Sequence, residues 1–393
     1  MTTIADNLTR PARRRVTYAR ARLWLGISCV GSWVVLSAAA LALDVPGLLL
    51  EAGPNALAAD ARAIAVFVAA YIALQLPFDV LGGFALPNRY GREHPTARGF
   101  AAAIARGAAC HGAMLFGCLL LLHLGGGLAG VAGAVGAVAA SMLILLSGRA
   151  LFARLVGGWS AGSIGGTLGR TTIANRVVGS QDEAFTGGIT GVLRPTSNIV
   201  PERWHTELTP SQLRLVEQRR ALAVTNGSWF RGRLASILFV LAGASIAGLL
   251  VGESALGTAG GTIEFSLWYT LWAFLGLLAL PTPSRAAVAV VDRSIADAFG
   301  DEAARESNAA ALTRLDELAD GEPARPAGIE AIFHPIPSLS RRVGQSNPGR
   351  RAPAWWDVAR TSIYLGNAAG GLVGRAVHCN CGRPALWVLF PAP

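Results

Sequence analysis

The sequence predicts a mainly α-helical, polytopic membrane protein with about six transmembrane helices and a cytoplasmic α+β domain split by a transmembrane hairpin. Three observations carry that expectation. Charged residues make up only 15% of the 393 and hydrophobic ones 52%, whereas soluble domains carry roughly 25% charged residues. Uncharged runs long enough to cross a hydrocarbon layer of about 30 Å recur along the chain. Arg residues gather at alternate flanks of those runs and acidic residues at the others, as positive-inside topology requires.

Residues 1–21 form a basic leader with Arg10, Arg13, Arg14, Arg15 and Arg20. The first apolar run, Leu23 to Leu43, starts only after this leader and is long enough to remain as an anchor, unlike a cleaved signal segment. Ala63 to Leu86 is a second span, interrupted late by Pro77 and Asp79; a kink there is tolerable where neighbouring groups satisfy the freed backbone. Between Arg106 and Arg149 no charged residue occurs, an interval too long for one crossing, and the Gly125, Gly126, Gly127 run divides it into a hairpin. Residues 22–151 thus read as a four-helix transmembrane region. Leu234 to Val251 and Phe265 to Leu280 supply the fifth and sixth spans.

The leader, the loop with Arg89, Arg92 and Arg98, and the segment with Arg149 and Arg154 fall on one side, the cytoplasmic one. Asp44, Glu51, Asp60, Glu253 and Glu264 fall on the other. Two polar regions then face the cytoplasm, and each is short for an independent domain, so they are expected to pack as one, residues 152–345, interrupted by the hairpin 234–281. Within it "TTIANRVVG" and "EAFTGGITGVL" read as short β pieces. A helix starts at Thr209, with Pro210 suited to its first position and Gln212 placed to complete a capping box. Leu213, Val216 and Arg220 fall on one face of that helix, Arg219 and Ala223 on another. "PSRAAVAVVDRSIADAF" and "DEAARESNAAALTRLDEL" read as further helices. In the extension 346–393, the apolar stretch between Arg360 and Arg375 is short for a span; an interfacial or docking helix with Trp355 and Trp356 near the headgroups is preferred, and a seventh span stays open.

Four fragments then stand in a telling order: "AFTGGI" (Ala184 to Ile189), "LTPSQL" (Leu208 to Leu213), "SRAAVAVVD" (Ser284 to Asp292) and "FHP" (Phe333 to Pro335). Over about residues 160 to 345 the chain resembles the membrane zinc metallopeptidases that include the CAAX prenyl proteases and heat-shock membrane proteases. In that family two His at i and i+4 and a distant Glu hold zinc, and the Glu between the His acts as general base. The resemblance places Arg219 and Ala223 at the His positions, Arg220 at the base and Val288 at the third ligand. Arg offers a metal no lone pair, and Ala and Val have no donor atom. A member lacking the HExxH motif is therefore expected, with neither zinc nor catalytic residues. Asp292 with His334 and Arg341 would mark a vestigial cleft, and an Arg to carboxylate pair at Asp292 could stand in for the metal.

Such a pseudoprotease would sit in the bilayer of a bacterial inner membrane and bind membrane-protein segments or a partner protease. An atypical active metallopeptidase and a transporter-like protein built around Asp79 are the alternatives. Nucleic acid is not an expected partner: the charge of +10 comes from scattered Arg without a reader motif. All 34 basic residues are Arg, a bias that suits a GC-rich genome. Cys29, Cys110 and Cys118 lie in apolar runs, which argues against a disulfide framework, and His378, Cys379 and Cys381 are too tightly spaced for a metal knuckle.

Overall fold

The computed structural model describes residues 16–49, 56–161, 173–298, 302–318, 321–322, 324–343, 353–377 and 380–389. The leader through Arg15, Glu51, part of the Gly-rich stretch after Trp159, and the pair His378 and Cys379 lie outside them. The principal helices in chain order are α1 (Tyr18–Ala42), α2 (Ala56–Val80), α3 (Ala97–Ser147), α4 (Arg149–Gly157), α5 (Pro210–Thr225), α6 (Ser228–Val251), α7 (Ala259–Ala279), α8 (Pro281–Ala298), α9 (Glu302–Leu318), α10 (Ala327–Phe333) and α11 (Val358–Gly366). Five helical stretches are long and apolar enough to cross a membrane: Tyr18–Ala42, Leu57–Arg89, Ala97–Ser147, Ser228–Val251 and Ala259–Ile295.

These five stretches hold the six expected spans, because the third and fourth are the two arms of α3. At about 1.5 Å per residue a straight helix of this length would far exceed a bilayer. Instead α3 folds back at Ala129 and Gly130, whose backbone is not helical; Gly130 has φ +53° and ψ −136°, a conformation suited to glycine. Across the fold, a Cβ on Gly125 would stand 2.5 Å from the Gly133 carbonyl oxygen and 2.9 Å from the Ala137 Cβ. The turn expected at Gly125 to Gly127 therefore moves toward the C-terminus. Gly125 and Gly126 serve close packing instead, Gly126 against Leu256.

The polar insertion between α4 and α6 carries four strands, β1 (Ser160–Ala161), β2 (Ala174–Gly179), β3 (Gly188–Thr190) and β4 (Ser197–Pro201). Their order is β1-β2-β4-β3, with β2 and β4 parallel and the outer pairs antiparallel. The two expected β pieces supply β2 and β3. Every residue of β4 is buried, between its neighbours and the cap region of α5.

Trp356 is 2% exposed, and every residue of α11 except Arg360 is buried, with the helix packed against α6, α7 and α3. The segment docks against these helices, and the nine residues of α11 are fewer than the roughly 20 a spanning helix needs. Room for it is made in α2, which passes into a π-helical turn at Leu81–Ala85. A Cβ on Gly82 or Gly83 there would collide with the backbone of Cys381 or Gly382.

One ion pair fastens the insert. Asp79 and Arg375, both 0% exposed, face each other, and the second Asp79 oxygen accepts the Gly382 N–H at 2.8 Å. The Arg375 guanidinium also lies 3.9 Å over the Trp387 ring. Removing one member of such a pair leaves an uncompensated buried charge. Asp79→Asn is expected to cost about 3–5 kcal/mol of stability, and the double change Asp79→Asn with Arg375→Met to cost less than Asp79→Asn alone, as read from unfolding in detergent.

Candidate functional site

Helix α5 is built as the sequence predicts. The Thr209 hydroxyl accepts the Gln212 N–H at 3.3 Å, the Gln212 side-chain Oε1 accepts the Thr209 N–H at 2.9 Å, and Pro210 opens the helix. Two of its three arginines, Arg219 and Arg220, are buried, each 1% exposed, and they point to different neighbours.

Arg219 reaches across to α8 and forms an ion pair with Asp292. Arg342, in the short helix Leu339–Val343, grips the same carboxylate as a fork, Nε at 3.0 Å and Nη2 at 3.3 Å. One carboxylate thereby joins α5, α8 and the distal polar segment. Burial pulls the Arg219 pKa down to about 10, opposed by Asp292, so the guanidinium stays cationic at neutral pH. One turn beyond Arg219, Ala223 is fully buried and packs with Ala287 and Val291 of α8, while Val288 is buried a turn before Asp292. Arg219 and Ala223 thus face α8 across the interface of the two helices.

Arg220 lies on another face of the helix and turns to the sheet. Its Nη1 donates to Asn198 Oδ1 at 2.7 Å and to the Ile199 carbonyl at 2.9 Å, Nη2 donates to the Thr186 carbonyl, and the group lies 5.3 Å over the Trp204 ring. The Asn198 amide donates in turn to Asn175 Oδ1 at 3.0 Å, and the Asn175 amide to Glu217 Oε1 at 2.7 Å. This chain ties the helix to β2 and β4 and does no more than hold them together.

The other expected cleft residues divide. Arg341 turns away from Asp292 to Glu330, 3.4 Å distant, with 44% of its side chain exposed. Its neighbour Arg342 takes the inward place, a residue sequence reasoning missed; the Arg-Arg pair was the signal, but a short helix of unknown phase does not say which member faces in. His334 lines a cavity of about 520 Å³ together with Arg342, and its carbonyl accepts Arg285 Nη1 at 2.7 Å. Burial, reinforced by Arg325, pushes the His334 imidazole down to about 3, so it is neutral in cells. The cavity is amphipathic: Leu23, Ile27 and Val30 of α1 and Phe274 and Leu277 of α7 form its apolar wall.

The donor chemistry does not fit zinc. Tetrahedral sites need at least three protein ligands, and the α5–α8 interface offers one carboxylate already shared by two cations. Among the described residues, no group of three or more His, Cys, Asp or Glu could hold a metal ion. Apolar helices and a small mixed sheet define a multi-pass membrane protein. No model of a known protein family matches the chain, and no curated protein matches it either.

Asp292→Asn would leave Arg219 and Arg342 facing each other without a counter-charge, and is expected to lower stability by about 3–5 kcal/mol. Arg341→Ala is expected to cost less than Asp292→Asn, since Arg341 is 44% exposed and meets the buried Glu330 through one 3.4 Å contact. Denaturant unfolding in detergent reads both.

Proposed function

We propose that this chain is a catalytically silent, membrane-embedded binding protein on a scaffold resembling the membrane zinc metallopeptidases, and that its amphipathic cavity receives an apolar segment of another membrane protein. The observation that carries the reading is the Asp292 carboxylate held by Arg219 and Arg342 at the interface where the resemblance would place a metal. A general base needs a free lone pair near the working pH, and a hydrolytic metal needs neutral or anionic donors; the positions concerned carry guanidinium, methyl and isopropyl groups.

The cavity supports the binding half of the proposal. Its volume is within the usual range for ligand pockets, and its wall on α1 and α7 is continuous with the apolar helices, so an incoming segment need not leave an apolar environment. Its polar rim carries Arg342, His334 and Arg360, suited to the hydrated end of such a segment. The transporter alternative gains nothing from Asp79, whose oxygens are taken by Arg375 and the Gly382 N–H. The Arg-rich flanks support an orientation with the N-terminus and the sheet in the cytoplasm.

Two experiments test this. A synthetic apolar helical peptide with a dansyl label at its polar end is expected to bind the detergent-solubilised protein saturably and to remain intact by mass spectrometry, with or without added zinc. Leu277→Trp, which fills the cavity, is expected to weaken binding by about tenfold or more, roughly 1.4 kcal/mol. Chelator-sensitive cleavage would establish the peptidase alternative, and absence of saturable binding would remove the binding role. For orientation, a cysteine placed at the exposed Arg92 is expected to react with an impermeant maleimide in inside-out vesicles and not in right-side-out ones.

A further inference from the structure

Buried positive charge collects where α4, α6 and α11 meet. Arg149 opens α4 and is 1% exposed; Arg233, on the second turn of α6, is 2% exposed; Arg360 stands on the first turn of α11 and lines the cavity. The Asp357 carboxylate acts electrostatically on all three. Among the described residues it forms no ion pair with Arg233 or Arg360, and it accepts the Thr361 hydroxyl at a long 3.4 Å. Burial also pushes the Asp357 carboxyl up to about 7, against the pull of the three guanidiniums.

Two of the guanidiniums lie over aromatic rings. Arg149 lies 4.5 Å over Tyr364, whose hydroxyl is anchored on the Leu145 carbonyl at 2.9 Å, and Arg233 lies 5.2 Å over Trp229. Stacking uses the face of a guanidinium and leaves its in-plane N–H groups for an acceptor. In Arg233 both Nε and Nη1 are buried without a hydrogen-bond partner, and Arg360 Nε is in the same condition. Like charges close together with unmet donors, that of Arg233 sealed from solvent, are strongly unfavourable unless an anion completes the set.

We propose that Arg149, Arg233 and Arg360 around Asp357 bind a phosphate group, carried by a lipid headgroup or by inorganic phosphate. Guanidinium forks match phosphate oxygens in pairs, and three of them suit a tetrahedral oxyanion better than a single carboxylate. The level of the site is that of headgroups: Arg149 follows the end of the apolar α3 by two residues, and Arg233 enters α6 just ahead of its apolar run. Arg360 opens the site toward the cavity, where an acyl chain would meet the apolar wall of α1 and α7.

The test begins with the unmodified protein, purified in maltoside, assayed for phosphorus and for bound lipids by mass spectrometry. The delipidated protein is then titrated with sodium phosphate against sodium chloride at equal ionic strength, and the thermal midpoint is read. Retention of about one phospholipid per chain assigns the site to a lipid headgroup. A saturable rise in midpoint with phosphate, in protein free of lipid, assigns it to the free anion. In either case Arg233→Met is expected to weaken retention or apparent affinity by at least about tenfold, while Arg231→Met, two residues away and exposed, leaves both unchanged. Phosphorus-free protein whose midpoint does not distinguish phosphate from chloride would overturn the proposal, whatever the variants do.

Discussion

The polar half of this protein is organised by one carboxylate, Asp292, shared between Arg219 and Arg342. A carboxylate offers several lone pairs, and two guanidiniums can occupy them together; three segments distant in sequence are thereby brought to one point. With Arg219 turned toward α8, the next residue, Arg220, is carried by the helical rotation of about 100° toward the sheet, where Asn198 and two carbonyls receive it. The interface of α5 and α8 is closed by Ala223, Ala287 and Val291, which add packing and no chemistry. Small side chains and fixed cations leave no place for a dication between these helices.

A second constraint acts in the membrane-spanning part. Asp79 and Arg375 are sealed from solvent together, and the glycines that follow Asp79 let the terminal segment approach the backbone of α2 closely. The π-helical turn, the Gly82–Gly83 pair and the ion pair serve one end, seating a stretch of chain that contributes helix, turns and aromatic rings to the centre of the fold. In such a setting an acidic residue within an apolar helix has a structural explanation, without ion passage.

Much of this was legible in the sequence for physical reasons. Apolar runs of spanning length announce helices because backbone groups in lipid must be satisfied internally. The Thr209, Pro210, Gln212 start is a local signal, and it forms as read because capping depends only on adjacent residues. What was not legible depends on contacts remote in sequence. Three consecutive glycines suggested a turn, but Gly125 and Gly126 pack helix against helix, and the reversal sits at Ala129 and Gly130, where no local pattern marks it. Strand β4 is short and ends in Pro201, so its identity comes from pairing with β2. The partner of Asp79, Arg375, lies nearly 300 positions away, and the choice of Arg342 over Arg341 rests on the phase of a single helical turn.

The central claim, that cations and aliphatic groups fill the interface of α5 and α8 and leave it unable to hold a metal, is open to direct measurement. Calorimetric titration of the purified, chelator-washed protein with zinc chloride addresses it without reference to any substrate. The account predicts only weak, non-saturating heats, unchanged when Asp292 is replaced by Asn. Binding of one zinc ion per chain with submicromolar affinity, lost in Asp292→Asn, would contradict it.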